Sequence, residues 1–166
     1  MAKKMTISAV NSAAKKTYVM KEHYLTDVNG EEWSVAVDEK MNPVHVPKMS
    51  QDILVTLAKL HDEGELENFN SEYVLLYPMI LKYYTDLKIT EKETAAETVN
   101  SYINMLDSLI GLGLLEQIMS CFEKEALTKA MEQLNKVALE MADAVVAGAK
   151  EYAEKLQEEE NTEVVE

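Results

Sequence analysis

The last third of the chain carries one long apolar stripe with the spacing of an α-helix. Over residues 123–157, apolar or small side chains recur at alternating steps of four and three residues, at Leu127, Met131, Leu134, Ala138, Met141, Val145, Gly148 and Tyr152. This spacing keeps one side of a helix turned toward a partner, as in coiled coils. The sequence therefore predicts a long C-terminal helix, with the earlier segments packed on it or presented by it.

The length of this stripe makes it a candidate partner-binding surface. It extends over the 25 steps from Leu127 to Tyr152, which is about 37 Å at the rise of an α-helix. Because a compact bundle of helices of about 15 residues cannot cover that length, we expect the distal end to project or to pair with another chain. The predicted partner-binding residues are Leu127, Met131, Leu134, Met141, Val145, Gly148 and Tyr152.

The charge of the chain disfavours nucleic acid as a partner. All 16 basic residues are lysines, and the formal net charge is −14. Residues 1–60 hold 8 lysines and 7 acids (net +1), whereas residues 61–166 hold 8 lysines and 23 acids (net −15). Arginine is the usual ligand of phosphate and guanine, and an acidic surface repels a polyanion. A nearly neutral front end is thus joined to a strongly acidic body.

The 166 residues suit a single domain that can bury a core without disulfides. We expect an N-terminal arm over 1–16, a β-hairpin region over 17–47, a helical bundle over 50–157 and a disordered acidic tail over 158–166. A single cysteine, Cys121, fits a reducing compartment. The longest apolar run, Tyr73–Leu81, contains Pro78 and is too short to span a bilayer. These features predict a cytoplasmic protein without a membrane partner.

A hairpin is predicted between Thr17 and Val46. Asn29-Gly30 lies between a β-prone run and a strictly alternating one, and this dipeptide favours a two-residue turn. Such a turn would place Thr26 opposite Trp33 and Tyr24 opposite Val35. The segment 43–47, bounded by two prolines, is a candidate third short strand at an edge.

Helical signals dominate after residue 47. We expect Ser50 to cap a helix that ends at Gly64, and a second helix to be kinked or split at Pro78. A capping box at Thr90–Glu93 would open a third helix. The expected fold is α+β and predominantly α, with an N-terminal antiparallel β-hairpin, or three short strands, followed by a bundle of about four helices with a long C-terminal helix.

No catalytic, metal or cofactor constellation is evident in the sequence. The three histidines do not share ligand spacing with each other or with the cysteine, and Cys121 lies beside Phe122 without a nearby base. The tripeptide Asp107-Ser108-Leu109 matches the surroundings of the modified serine in acyl carrier proteins. Ser108 falls inside the predicted third helix, however, whereas the carrier serine opens a helix. A non-enzymatic protein without cofactors is expected, with a carrier role for Ser108 as the least favoured alternative.

The segment Ser12–Glu22, the hairpin, and Val44–Lys48 before a leucine-rich helix together resemble the tail assembly chaperones of long-tailed (siphovirus-type) bacteriophages and prophages of Gram-positive bacteria. The resemblance covers about residues 12–90. It implies a protein of the bacterial host cytoplasm that binds the helical tape-measure protein and helps recruit tail-tube subunits. Many members are also made as a longer product by a programmed frameshift.

A different kind of binding protein also fits the sequence. Ten methionines, several of them on predicted apolar helix faces, suit a groove that accepts varied partners, although for any single methionine a place in the core is the favoured interpretation. The alternative is a cytoplasmic adaptor or regulatory protein that forms homo-oligomers through its C-terminal helix.

Overall fold

The computed structural model describes residues 5–66, 73–134 and 136. Its regular elements follow one another as α1 (Ile7–Thr17), β1 (Lys21–Thr26), β2 (Glu32–Val37), α2 (His45–Asp62), α3 (Tyr73–Tyr84), α4 (Ala95–Gly111) and α5 (Leu114–Ser120). Residues 124–134 are helical as well. The fold is therefore α+β and predominantly helical, as the sequence predicts.

Strands β1 and β2 form the expected antiparallel hairpin, but the predicted register is wrong by one residue. Tyr24 lies opposite Ser34, not Val35, and Leu25 lies opposite Trp33. Because side chains alternate between the two faces of a strand, this shift turns Tyr24 to the solvent side and Leu25 to the core side. Leu25 is accordingly buried, whereas Tyr24 is 74% exposed.

The side chain of Asp27 explains the register. Its Oδ1 accepts hydrogen bonds from the amides of Asn29 (2.8 Å) and Glu31 (3.0 Å), and its Oδ2 accepts one from Trp33 Nε1 (3.1 Å). These bonds stabilise a five-residue loop from Asp27 to Glu31 in place of a two-residue turn. Gly30 still has the positive φ that the turn requires, at 85°.

The hairpin is joined to the helices at the end of β2. The Asp38 amide donates to the Tyr84 carbonyl at 2.9 Å, and an isolated bridge pairs Val37 with Thr85. Asp86 exchanges two bonds with Ala36, accepting from its amide through Oδ1 (2.9 Å) and donating to its carbonyl (3.1 Å). The end of α3 thus anchors the end of β2.

The start of α2 corrects two expectations. Segment 43–47 is not a third strand, and in residues 5–66 and 73–134 the two-stranded hairpin is the whole regular sheet. The segment instead leads into and forms the first turn of α2. Pro47 is tolerated there because backbone N–H groups in the first turn have no partner within the helix and proline has no N–H. Ser50 is not an N-cap either, because it is buried inside α2 and its hydroxyl donates to the Val46 carbonyl at 3.0 Å.

The end of α2 holds the start of α4. As predicted, the helix ends before Gly64, whose φ is 73°; the amides of Gly64 and Glu65 donate back into the last turn. The carboxylate of Glu63 then accepts from the first two amides of α4, those of Ala95 (2.8 Å) and Ala96 (3.0 Å). An anion at this position satisfies free amides and opposes the helix dipole.

The predicted capping box of the third helix is misplaced by four residues. Thr94, not Thr90, is the N-cap of α4, and its hydroxyl accepts from the Glu97 amide at 3.1 Å. Glu63 explains the shift, because it can bind the two amides that follow Thr94. Of the two expectations for Pro78, a kink or a split into two short helices, the split is wrong, because α3 runs as one helix with the buried Pro78 inside it.

The core lies where α2, α3 and α4 pack against one another, with α5 packed on α4 and β1. Nearly inaccessible side chains from each layer meet there: Val37, Met49, Leu60, Met79, Ile80, Leu81, Tyr84, Val99 and Tyr102. The chain divides into two units between Ala130 and Met131. In the second unit the structure describes residues 131–134, which are helical, and residue 136.

Candidate interaction surface

Helix α1 is an amphipathic helix with no buried side chain. The Thr6 hydroxyl caps it by accepting from the Ala9 amide at 3.1 Å. Ile7 and Val10 lie on one side of the helix and are 82% and 50% exposed. Two lysines, Lys15 and Lys16, occupy the last turn, where positive charge favours the helix dipole. Its apolar stripe is therefore open to solvent.

The hairpin presents a second exposed surface, which we call the outer face. It consists of the side chains that alternate with the buried ones: Glu22, Tyr24 and Thr26 from β1 and Glu32, Ser34 and Ala36 from β2. Tyr24 is its largest apolar group, and the two glutamates lie at opposite ends of the two strands. The outer face thus combines one exposed aromatic ring with two carboxylates.

Hydrogen bonds hold the hairpin to α5 and to the loop before it. They are made at the tip of the hairpin and at the end of β1. At the tip, the Val28 amide donates to the Leu112 carbonyl at 3.1 Å. Along β1, the carboxamide of Gln117 accepts from the Thr26 amide (3.2 Å) and donates to the Thr26 carbonyl (2.8 Å). One side chain therefore satisfies both backbone groups of a strand residue.

A polar cluster links α2, α3 and the segment before α4. Lys82 Nζ donates to Asp52 (2.7 Å) and Glu91 (2.8 Å), and the Tyr83 hydroxyl donates to Asp52 at 2.8 Å. Burial opposes the charge of Lys82, but the two carboxylates outweigh it and raise the pKa of the ammonium. Burial likewise opposes ionisation of Asp52, yet its hydrogen-bonded partners keep the pKa below normal. Each of these side chains has a hydrogen-bond partner within the cluster, which indicates a structural role.

The residues considered for chemistry occupy ordinary structural positions. Ser108 lies inside α4, where its hydroxyl donates to the Asn104 carbonyl at 2.8 Å. The Cys121 thiol donates to the Gln117 carbonyl at 3.3 Å, and burial raises the pKa of this thiol. A raised pKa lowers the thiolate fraction at neutral pH. Neither geometry favours a carrier serine or a nucleophilic cysteine.

The part of the chain that the structure describes holds neither a cluster of metal ligands nor a helix suited to span a membrane. Residues 5–66 and 73–134 bring no three His, Cys, Asp or Glu side chains together in a metal-binding arrangement. In the same ranges, no helix is both long and apolar enough to cross a membrane.

The structure describes only the beginning of the predicted partner-binding stripe. Leu127 is half-buried in the first unit; Met131, half-buried, and Leu134, buried, belong to the helical stretch of the second. The remaining candidates, Met141, Val145, Gly148 and Tyr152, lie outside the described residues. The helix is thus confirmed at its start, and the partner-binding role stays a prediction.

Comparison with known proteins decides the family. A family model described as YomO matches residues 7–166. The chain belongs to the YomO family. YomO is a family name of the phage and prophage type. It agrees with the phage or prophage origin that the resemblance over residues 12–90 implies. The comparisons with curated proteins and with solved structures gave no match.

The YomO match extends over every described element and the whole predicted stripe. The sequence predicts an N-terminal arm over residues 1–16 with no surface assigned to it, whereas the structure has α1 over Ile7–Thr17 with its apolar stripe exposed. The charge of this segment nonetheless distinguishes it in the sequence. Residues 1–20 hold 4 lysines and no acid in a chain whose net charge is −14, so the charge of this segment is opposite to that of the acidic body.

Proposed function

We propose that this YomO-family chain is a non-enzymatic tail assembly chaperone of a phage or prophage. It binds the helical tape-measure protein and helps recruit tail-tube subunits in the host cytoplasm. The family match supports the phage origin, and the resemblance over about residues 12–90 supports the assembly role.

The observation that carries the proposal is the apolar stripe from Leu127 to Tyr152. Helical backbone over 124–134 places its first members on one helix. An amphipathic helix presents such a stripe to apolar faces of other helices, with anchors at three- and four-residue spacing. Tape-measure helices are the partners that the resemblance implies.

The acidic charge supports the same role. Residues 61–166 carry a net charge of −15, and mutual repulsion keeps a protein with apolar surface from associating with itself at high concentration. A protein that holds an aggregation-prone helical partner in solution needs this combination of apolar surface and like charge.

The direct test is co-expression of the full chain with a helical fragment of the tape-measure protein from the same phage or prophage. The fragment should co-purify with the chain and should precipitate when expressed alone. Val145→Glu places a charge on the stripe and should reduce the retained fragment about tenfold or more, because burial of an unpaired carboxylate is costly.

Val146→Glu is the matched control, since it changes the same residue type one position off the stripe. It should leave retention near that of the unchanged chain. Failure of the unchanged chain to retain any tape-measure fragment would remove the proposal. Equal losses in both valine variants would instead show that binding does not follow the stripe.

A further inference from the structure

The hairpin has two strand edges, and hydrogen bonds from the helical part of the chain close each edge at one end. In an antiparallel pair, the backbone groups of alternate residues point toward the neighbouring strand and those of the other residues point away from it. On β1, the Gln117 carboxamide binds both outward groups of Thr26. On β2, Asp86 binds both outward groups of Ala36. Gln117 and Asp86 thus take the places that the peptide groups of further strands would occupy.

The other end of the β1 edge is open. Tyr24 and Glu22 lie two and four residues before Thr26, so their backbone N–H and C=O groups point outward as well. Over residues 5–66 and 73–134, no hydrogen bond reaches those groups. Both side chains are exposed, as are those of Val19 and Met20 just before the strand. We call the segment 22–24 the open edge, and it is accessible to a partner.

The groups at the open edge specify the chemistry of that partner. Outward N–H and C=O groups of a strand are matched by the backbone of another extended segment. The Tyr24 ring is 74% exposed and pairs well with an aromatic or β-branched side chain opposite it. The exposed Glu22 carboxylate has no cationic partner in the described part of the chain, since the neighbouring Lys21 is paired with Glu39. It favours a lysine or arginine opposite it.

A second copy of the chain does not meet these requirements. Antiparallel pairing of two open edges sets Glu22 directly opposite Glu22 of the other copy, and like charges in that position are destabilising. Shifting the register in one direction brings the other strand against Gln117, which already holds its place on the edge. Shifting it in the other direction sets two Lys21 side chains opposite each other. The edge is therefore suited to a different protein.

We propose that the open edge binds an extended segment of another protein, which adds antiparallel to β1 as a third strand. Along the partner chain, an aromatic or β-branched residue opposite Tyr24 comes two positions before a lysine or arginine opposite Glu22. Backbone hydrogen bonds to the open edge hold the segment, and the two side-chain pairs give it sequence preference. The Gln117 carboxamide ends the added strand at the position of Thr26.

Amide hydrogen exchange of the full chain, read by NMR with a synthetic peptide as the probe, tests the site. The peptide is Thr-Tyr-Thr-Lys-Thr with blocked ends. At saturation it should slow exchange of the Glu22 and Tyr24 amides about tenfold or more, because both amides become hydrogen-bonded. The matched control is the same composition in reverse order, Thr-Lys-Thr-Tyr-Thr. It should bind about fivefold more weakly, because it sets lysine against the Tyr24 ring and tyrosine against the carboxylate.

N-methylation of the peptide separates backbone pairing from side-chain contact. In the proposed register, the amides of the peptide's tyrosine and lysine face β1, and the amide of the threonine between them points away. Methylation of the first two should abolish the slowed exchange, whereas methylation of the threonine amide should preserve it.

Variants of the chain test the same contacts from the other side. Glu22→Lys should weaken binding of the lysine peptide about fivefold or more, and a peptide with glutamate in place of lysine should restore it. Tyr24→Pro removes an outward donor without removing a bond between β1 and β2, and it should abolish binding. Ser34→Pro, directly opposite on β2, is its matched control and should bind the peptide like the unchanged chain.

Four outcomes would overturn the inference. They are no slowing at any peptide concentration, equal slowing by both peptide orders, slowing that survives methylation of the amides facing β1, and slowing at high protein concentration without peptide. The last would make a second copy the occupant. Because the stripe from Leu127 to Tyr152 takes no part in this site, Val145→Glu should bind the peptide normally. Failure here is thus distinguishable from failure of the proposed function.

Discussion

Helices α1 and α4 begin with the same kind of cap, but α1 is exposed to solvent and α4 packs in the core. Each begins at a threonine whose hydroxyl accepts from the amide three residues on, at 3.1 Å in both cases. Helix α4 buries five side chains, whereas α1 buries none. The carboxylate of Glu63 also binds the first amides of α4. The difference teaches that a cap and an apolar stripe define where a helix can form, and that packing decides how much the protein depends on it.

The largest expected effect in this comparison comes from replacing one large apolar or aromatic side chain in each helix, buried in α4 and exposed in α1. Tyr102→Ala should lower the free energy of unfolding by about 3–5 kcal/mol, because it leaves a cavity in α4 where Tyr102 is only 1% exposed. Ile7→Ala should cost less than about 0.5 kcal/mol at concentrations where the chain is a monomer. Denaturant unfolding measures both. Comparable losses would mean that α1 is packed within a single copy.

Tyr102→Phe tests the contribution of the hydroxyl to stability separately from that of the ring. No hydrogen-bond partner of this buried hydroxyl is found over the described part of the chain. Removal of an unsatisfied polar group is neutral or stabilising, so Tyr102→Phe should unfold at the same or a higher denaturant concentration than the unchanged chain.

The next largest effect is expected from Glu63. Glu63→Ala removes the acceptor of the Ala95 and Ala96 amides and should cost about 1–2 kcal/mol of unfolding free energy. Glu125→Ala changes an exposed acid of the 124–134 helix and serves as the control, with an expected change below about 0.5 kcal/mol. If the two variants unfold alike, the inter-helix cap contributes nothing measurable.

The two threonine caps provide a smaller and more direct contrast. Thr94→Ala should lower global stability by about 1 kcal/mol. Thr6→Ala should leave global stability unchanged but speed amide hydrogen exchange across α1, since that helix can open without the core. Hydrogen exchange read by mass spectrometry reports both helices in one experiment. A global loss from Thr6→Ala would contradict the comparison.

The smallest expected effect is a pH dependence confined to the hairpin tip. Burial opposes the ionisation of Asp27, but hydrogen bonds from the Glu31 and Asn29 amides and from Trp33 outweigh it and lower the pKa of the carboxyl. Since the folded pKa lies below the unfolded one, this contribution is complete above the ordinary value of about 4 and is lost as the pH falls through the lowered value.

Trp33 is the only tryptophan, so its fluorescence should report this loosening below about pH 4. Asp27→Asn should abolish that transition and lower the thermal midpoint of the hairpin. Asp107→Asn, a change at an exposed position of α4, should preserve the transition.

Local signals made the elements predictable from the sequence, and side chains from distant positions set the details that were not. The hairpin and the end of α2 at Gly64 follow from residues that favour turns or positive φ. The predicted register of the hairpin was wrong because the Asp27 carboxylate accepts hydrogen bonds from loop amides. The predicted start of α4 was wrong because Glu63, which accepts from the first amides of that helix, is more than 30 residues away in sequence.

The candidate surfaces were harder to predict because exposure depends on what the rest of the chain covers. Alternation identified Trp33, Val35 and Val37 as one face, but only the observed register shows that Tyr24 lies on the other. The C-terminal stripe could be read from spacing alone, and the helical backbone at its start agrees.

The bond pair between Gln117 and Thr26 has a consequence for solubility at high expression. A two-stranded ribbon with a bare margin can recruit further ribbons and grow into insoluble fibrils. Here a single carboxamide from a helix occupies the donor and the acceptor at the tip end of that margin. An incoming strand therefore cannot pair with Thr26 while both bonds to Gln117 are in place, and this part of the edge is protected without an extra strand or a proline.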